Sequence, residues 1–131
     1  RLRCDWSSDV CSSDLRMGEY REAVYSACKA GVIALSKSVA RETGRYGLRL
    51  NVVCPGLVVP PEDESISEES MWTEMRGIFT EDVREKVERN YLFRRMGTAQ
   101  EVANAVVFLA SDAASFITGQ TLSVSGGYTM M

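Results

Sequence analysis

Ala23-Val24-Tyr25-Ser26-Ala27-Cys28-Lys29-Ala30-Gly31 is the stretch on which the reading of this chain turns. It lies in a run, Glu22 to Arg41, whose pattern predicts a helix. Tyr25 and Lys29 are four residues apart, about one helical turn, so both side chains leave the same face. A cation about 5 Å from a phenol, at an effective dielectric near ~20, favours the phenolate by roughly 3 kcal/mol, or about two pKa units. Such a phenol becomes a usable general acid/base near neutral pH. The same spacing also arises by chance on many helices, so its surroundings must decide. Ser26, Ala27, Cys28, Ala30 and Gly31 are all small, which permits close approach by another helix or a ligand. Gly31 destabilises a helix by ~1 kcal/mol against Ala, which points to a packing reason for it.

Working outward, the helical pattern extends from Glu22 to Tyr46, with Val32, Ile33, Leu35, Val39 and Ala40 as its core-facing set. Gly44 and Gly47 supply stop signals. Leu48 to Cys54 reads as a short strand, mostly apolar as in a parallel sheet covered on both faces, and Pro55-Gly56 ends it. Pro60-Pro61 breaks any helix, and an acidic run (Glu62, Asp63, Glu64, Glu68, Glu69) suits a solvated face. Met71, Trp72, Met75, Ile78 and Phe79 recur at roughly helical spacing, either as a lid over a substrate or as a surface helix on the body. Thr80 is placed as an N-cap, with Glu81 and Asp82 in the first turn of a helix running to about Asn90. Tyr91 to Gly97 is a connection. Thr98-Ala99-Gln100-Glu101 is a capping box opening a helix to about Ala110, with Val102, Ala105, Val106 and Leu109 facing the core. Gln120 to Val124 is a last strand, and the order helix–strand–helices–strand implies a right-handed parallel crossover.

Three motifs in this order resemble the short-chain dehydrogenase/reductases. They are Ala23 to Gly31; Asn51-Val52-Val53-Cys54-Pro55-Gly56; and the closing set Ser111-Asp112, Phe116-Ile117-Thr118-Gly119-Gln120 and Val124-Ser125-Gly126-Gly127. The resemblance runs from about Arg16 to Met131. Within the family the wording is similar to 2-hydroxycyclohexane-carboxyl-CoA dehydrogenases and, more loosely, to 3-oxoacyl-thioester reductases. The resemblance implies an α/β fold, the C-terminal part of a Rossmann-type doubly wound parallel sheet. It implies an oxidoreductase using NAD or NADP to interconvert a secondary alcohol and a ketone, with a hydroxyacyl thioester as the substrate class. It assigns Tyr25 as proton donor and acceptor, and Lys29 as its activator and as a holder of the cofactor ribose. Ser12, thirteen residues before Tyr25, takes the place of a hydroxyl that polarises the substrate carbonyl. Pro55, Gly56, Leu57 and Val58 take the place of the segment beside the nicotinamide ring. A homo-oligomer, dimer or tetramer, built partly on the Tyr-containing helix, is also implied.

The chain departs from the family pattern in places. Where the family often has a cofactor-holding Thr, five residues after the Pro, this chain has Pro60, with no side-chain hydrogen bond to offer. No Gly-rich turn sits between a strand and a helix, and the family's catalytic Asn has no counterpart, so 131 residues read as the C-terminal half of such an enzyme. An alternative reading is a catalytically inactive fragment that keeps only an oligomerisation surface. Residues 1–15 repeat Ser-Ser-Asp without periodicity and resemble translated adaptor sequence, a non-native or disordered leader; the alternative is an ordinary Ser-rich loop.

Composition narrows the remaining classes. With 45% hydrophobic and 25% charged residues the chain reads as a soluble globular domain. A net charge of −3 gives no bulk attraction to nucleic acid or an anionic membrane, and the apolar runs are too short to span a bilayer. Cys4, Cys11, Cys28 and Cys54 form no C-x-x-C pair and the chain has no His, which argues against a metal and for a reducing, cytoplasmic setting. Cys28 reads as a packing residue rather than an activated thiol, Arg94-Arg95 as either a phosphate site or an ion-paired surface, and Gly126-Gly127 as a turn.

Overall fold

The structure, a computed structural model, describes residues 23–60, 73 and 79–130. The described elements follow the expected order. They are helix α1 (Ala23–Thr43), a 3-10 turn (Gly44–Tyr46), strand β1 (Val52–Pro55), helix α2 (Glu81–Glu88), helix α3 (Ala99–Ala110), a 3-10 turn (Asp112–Ala114) and strand β2 (Thr121–Val124). Gly47 closes the first 3-10 turn in the left-handed region, φ 77°, where a side chain would be strained.

β1 and β2 pair in parallel, from Val52 opposite Thr121 to Pro55 opposite Val124. The ladder is flanked by Val52 N–H donating to Gln120 O (2.8 Å) and Gly56 N–H donating to Val124 O (3.0 Å). Donors toward β2 therefore recur at alternate residues, and Pro55 falls on the other alternation. Its missing N–H is absent from the edge that faces away from β2, so the proline is tolerated inside the strand rather than ending it.

The strand is shorter at its start than Leu48–Cys54. The backbone there is satisfied by a loop instead of a ladder: Leu50 N–H donates to Thr118 Oγ1 (3.1 Å) and Gly119 N–H donates to Leu50 O (2.7 Å). Asn51 extends the same junction, donating from Nδ2 to Ile117 O (3.0 Å) and accepting Gln120 N–H at Oδ1 (3.1 Å). The buried Arg49 ties the junction to the end of α3, donating to Leu109 O (2.6 Å), Ile117 O (3.3 Å) and Ser111 O (3.4 Å).

α3 opens on the expected capping box. Thr98 Oγ1 accepts Glu101 N–H (3.3 Å) and the Glu101 carboxylate accepts Thr98 N–H (2.9 Å). Its apolar stripe lies on the sheet: Val53, Leu109 and Ala114 form a buried cluster, with Val102, Val106, Ile117 and Val124 packed against it. α2 forms where expected. Thr80 holds the N-cap position, but its side chain makes no capping bond, and the helix stops at Glu88 rather than Asn90.

α1 turns in most of the face its apolar residues suggest, with Ala40 buried and Val32, Ile33 and Val39 half-buried, but not Leu35. Ser36 and Ala40 are buried, four apart and small, and a Cβ added at Gly119 would stand 3.8 Å from Ala40 Cβ. Leu35 is turned about 100° from Ser36 and is 62% exposed. Cys28 is exposed as well, so it does not pack in this fold. Among the described residues no helix is long and apolar enough to cross a membrane.

Candidate active site

The Tyr25–Lys29 pair forms as the spacing predicts. Lys29 Nζ lies 5.6 Å from the centroid of the Tyr25 ring. Tyr25 is 37% exposed and Lys29 is half-buried, so a phenol and an ammonium share one accessible face of the first turns of α1.

The second part of the site is the run Pro55–Val58, buried throughout, where the chain leaves the carboxyl end of β1. In open parallel α/β sheets this end of the strands is where ligands bind. Leu57 is held from both sides: its N–H donates to the Tyr91 hydroxyl (2.9 Å) and its C=O accepts Gly97 N–H (3.1 Å). Val58 and Gly97 form an isolated parallel bridge. Gly56 is tightly enclosed, since a Cβ there would stand 3.0 Å from Ser125 Cα and 3.1 Å from the Tyr91 ring and its neighbours would have to give way. Leu57, Tyr91 and Met96 make a second buried cluster that includes Phe79, Val87 and Tyr128 at its edge. Pro60 is half-buried and offers no hydroxyl.

The contacts described here join each group internally: Tyr25 with Lys29, and Pro55–Val58 with the 91–97 connection. Ser12 lies outside the described residues, as do the leader at 1–15 and most of the Met71–Phe79 stretch read as a lid or a surface helix. Tyr91 passed as an undistinguished connection residue in the sequence. Its partner is a backbone amide 34 positions away, and such a contact leaves no periodic mark.

A cavity of about 420 Å³ lies beside the carboxyl end of β2 and borders the second group through Met96 and Gly97, its lining including Arg95, Glu101, Ser125 and Gly126. Arg95 is engaged there in an ion pair, its two terminal nitrogens on the two Glu101 oxygens at 3.0 and 2.5 Å. The Arg95 bond, with that from Thr98 N–H, pulls the Glu101 carboxyl down to about 2, and Glu101 raises Arg95 in turn. Arg94 donates to Arg89 O (2.6 Å). Ion pairing is thus what the structure shows for Arg95.

The donor set fits the nicotinamide–ribose half of a dinucleotide. A phenol and an ammonium offer donors and an acceptor to ribose hydroxyls, and a buried apolar run stands at the strand's carboxyl end. A family model described as enoyl-(acyl carrier protein) reductase matches residues 9–129. The chain belongs to the short-chain dehydrogenase/reductase family. It is 43% identical to a 3-oxoacyl-(acyl-carrier-protein) reductase of Salmonella typhimurium over 131 residues, 100% of this chain and 48% of that protein. It is 43% identical to the Escherichia coli protein of the same name over 115 residues, 88% of this chain and 42% of that one. It is also 43% identical to an acetoacetyl-CoA reductase of Synechocystis over 112 residues, 85% of this chain and 41% of the relative. The chain thus spans about half the length of the curated relatives it matches.

Proposed function

We propose that this chain carries the proton-transfer and nicotinamide-side part of an NAD- or NADP-dependent reductase site acting on a 3-oxoacyl thioester. The observation that carries the reading is the Tyr25–Lys29 pair, 5.6 Å apart on an accessible helix face. The relatives' names, 3-oxoacyl and acetoacetyl, favour the 3-oxoacyl-thioester wording over the hydroxycyclohexane one.

Tyr25 Oη donates its proton to the substrate oxygen as the ketone becomes an alcohol, and takes it back in the reverse direction. Lys29 stabilises the phenolate left behind and hydrogen-bonds the ribose hydroxyls. When bound, the nicotinamide nucleotide supplies or accepts the hydride. Pro55, Gly56, Leu57 and Val58 form the buried wall that orients the ring. Ser12 is assigned to carbonyl polarisation on its spacing from Tyr25; upstream genomic sequence with other in-frame residues at 1–15 removes that assignment.

The test uses the complete gene product, acetoacetyl-CoA and each reduced nicotinamide nucleotide. Tyr25→Phe lowers kcat by ~10²-fold or more. Full activity in that variant, or a wild type that reduces no 3-oxoacyl thioester, overturns the reading.

The protein acts as a homo-oligomer in the cytoplasm. Val24 is 79% exposed and Leu35 62%, and eleven residues bring them to one side of α1 with Cys28 and Gly31 between. A stripe of this kind, apolar at its ends and small in its middle, suits close packing against a second copy. Light scattering of the gene product checks it: a dimer or tetramer that Leu35→Glu dissociates is expected, and a wild-type monomer refutes it.

A further inference from the structure

We propose that Tyr91 is a positioning residue for the cofactor-facing segment, acting through the Leu57 amide; the inference rests on the reading of Pro55–Val58 given above. The sheet stops holding this segment at Gly56, whose N–H makes the last bond to β2. Past that point Leu57 has the Tyr91 hydroxyl on its N–H at 2.9 Å and the Gly97 amide on its C=O at 3.1 Å. Both partners come from one connection, residues 91–97, so that connection decides where the segment lies.

Tyr91 is itself fixed. It is 3% exposed and stacks on Tyr128 with ring centroids 5.1 Å apart and planes 24° apart. Its neighbours Leu92 and Phe93 donate their amides to Gly126 O at 3.1 and 3.4 Å, which ties the start of the connection to the turn after β2. Against its ring, Gly56 leaves no slack. The ring is thus held by the segment after β2 and by the end of β1, and its hydroxyl holds Leu57 in turn. Phenylalanine at this position keeps the ring, the stack and the burial, and removes the bond to Leu57. The buried amide is then unpaired, and the segment shifts toward arrangements that satisfy it. A ligand that needs the original arrangement binds more weakly by the fraction of molecules that have left it.

The experiment is Tyr91→Phe in the complete gene product, with NADPH and NADH as probes. The expected result is a dissociation constant for the reduced nucleotide at least fivefold higher, read by nucleotide fluorescence. The cofactor KM rises in parallel while kcat at saturation stays within twofold. Exchange of the Leu57 amide with deuterium in the free protein becomes at least tenfold faster. A merely structural role moves the other quantity: it lowers the active fraction and hence kcat, and leaves the dissociation constant and KM in place. A dissociation constant within twofold of wild type, or unchanged exchange at Leu57, overturns the proposal. A wild type that binds nucleotide without turning over any 3-oxoacyl thioester overturns the substrate reading while leaving this comparison decisive. A wild type that binds neither nucleotide overturns both. If Tyr91→Phe yields no folded protein, Tyr128→Leu, which removes the stacking ring and spares the hydroxyl, carries the test: a raised dissociation constant supports the proposal and an unchanged one overturns it.

Discussion

Replacing Arg49 by methionine keeps a long apolar stem in place and removes a guanidinium that three carbonyls share. The three bonds are unequal. Ile117 O keeps a second donor in Asn51 Nδ2 (3.0 Å), and Ser111 O keeps one in Ala114 N–H (3.2 Å), so the long Arg49 contacts at 3.3 and 3.4 Å are partly redundant. Leu109 O differs: it lies in the last turn of α3, whose carbonyls have no partner within the helix, and its 2.6 Å bond to Arg49 is the short one. One charge-assisted bond contributes ~1.5–3 kcal/mol. Adding a few tenths for each long contact, Arg49→Met should destabilise the protein by ~2–4 kcal/mol. Urea unfolding of the complete gene product, wild type against variant, measures this. Arg49→Lys should fall between them, because a single ammonium can follow Leu109 O but cannot span the fork. A loss below ~0.5 kcal/mol in Arg49→Met would show that water replaces the guanidinium at no net penalty, and would refute the reasoning.

Three further outcomes follow from the same geometry. Gly56→Ala puts a methyl 3.0 Å from the Ser125 backbone and 3.1 Å from the Tyr91 ring, both of which are pinned; it should destabilise by ~1–3 kcal/mol in urea titration, and wild-type stability would mean that the end of β1 yields freely. Glu101 titrates at about 2 when folded against an ordinary carboxylate value of ~4.3 unfolded, so its contribution is complete above the higher value and lost as pH falls through the lower. Glu101→Gln keeps a capping side chain and removes the charge; its melting-temperature deficit should be largest near neutral pH and vanish toward pH ~2, and a deficit independent of pH contradicts this. Thr98→Ala removes the reciprocal partner and should destabilise by ~0.5–2 kcal/mol, whereas Thr80→Ala, at a cap position with no side-chain bond, should change stability far less.

The comparison of Thr98 with Thr80 shows what the sequence could and could not disclose. Both residues precede acidic first turns, and only the one followed at the third position by Glu forms a capping bond. Local signals of that kind located α1, α3, the Gly47 stop and the Tyr25–Lys29 pair, because each depends on residues within one or two turns. The bounds of β1 were misplaced because Leu50 and Asn51 are satisfied by residues 117–120, nearly seventy positions on. On α1 the pattern marked Ala40, which is buried, but also Leu35, which is exposed, while the polar Ser36 is buried without an apolar signal to announce it. Of the candidate site, motif wording nominated Tyr25, Lys29 and Pro55–Val58, but gave no sign of Tyr91, whose hydroxyl accepts the Leu57 amide. A long-range side-chain-to-backbone contact has no spacing to betray it.

The parallel pairing of Val52 with Thr121 also sets a timetable for synthesis. Partners in this ladder are 69 residues apart at every rung, from 52 and 121 to 55 and 124. Closing a loop of that length opposes folding by ~4 kcal/mol before any rung is made. At translation rates of ~5–20 residues per second, β1 waits ~3–14 s for its partner strand to be made. Throughout that interval Val52 and Val53, which end among the most buried residues of the fold, have no β2 beside them. The order of elements that places the Gly56–Val58 turn at the end of β1 therefore makes the nascent chain depend on whatever shields that strand until β2 emerges.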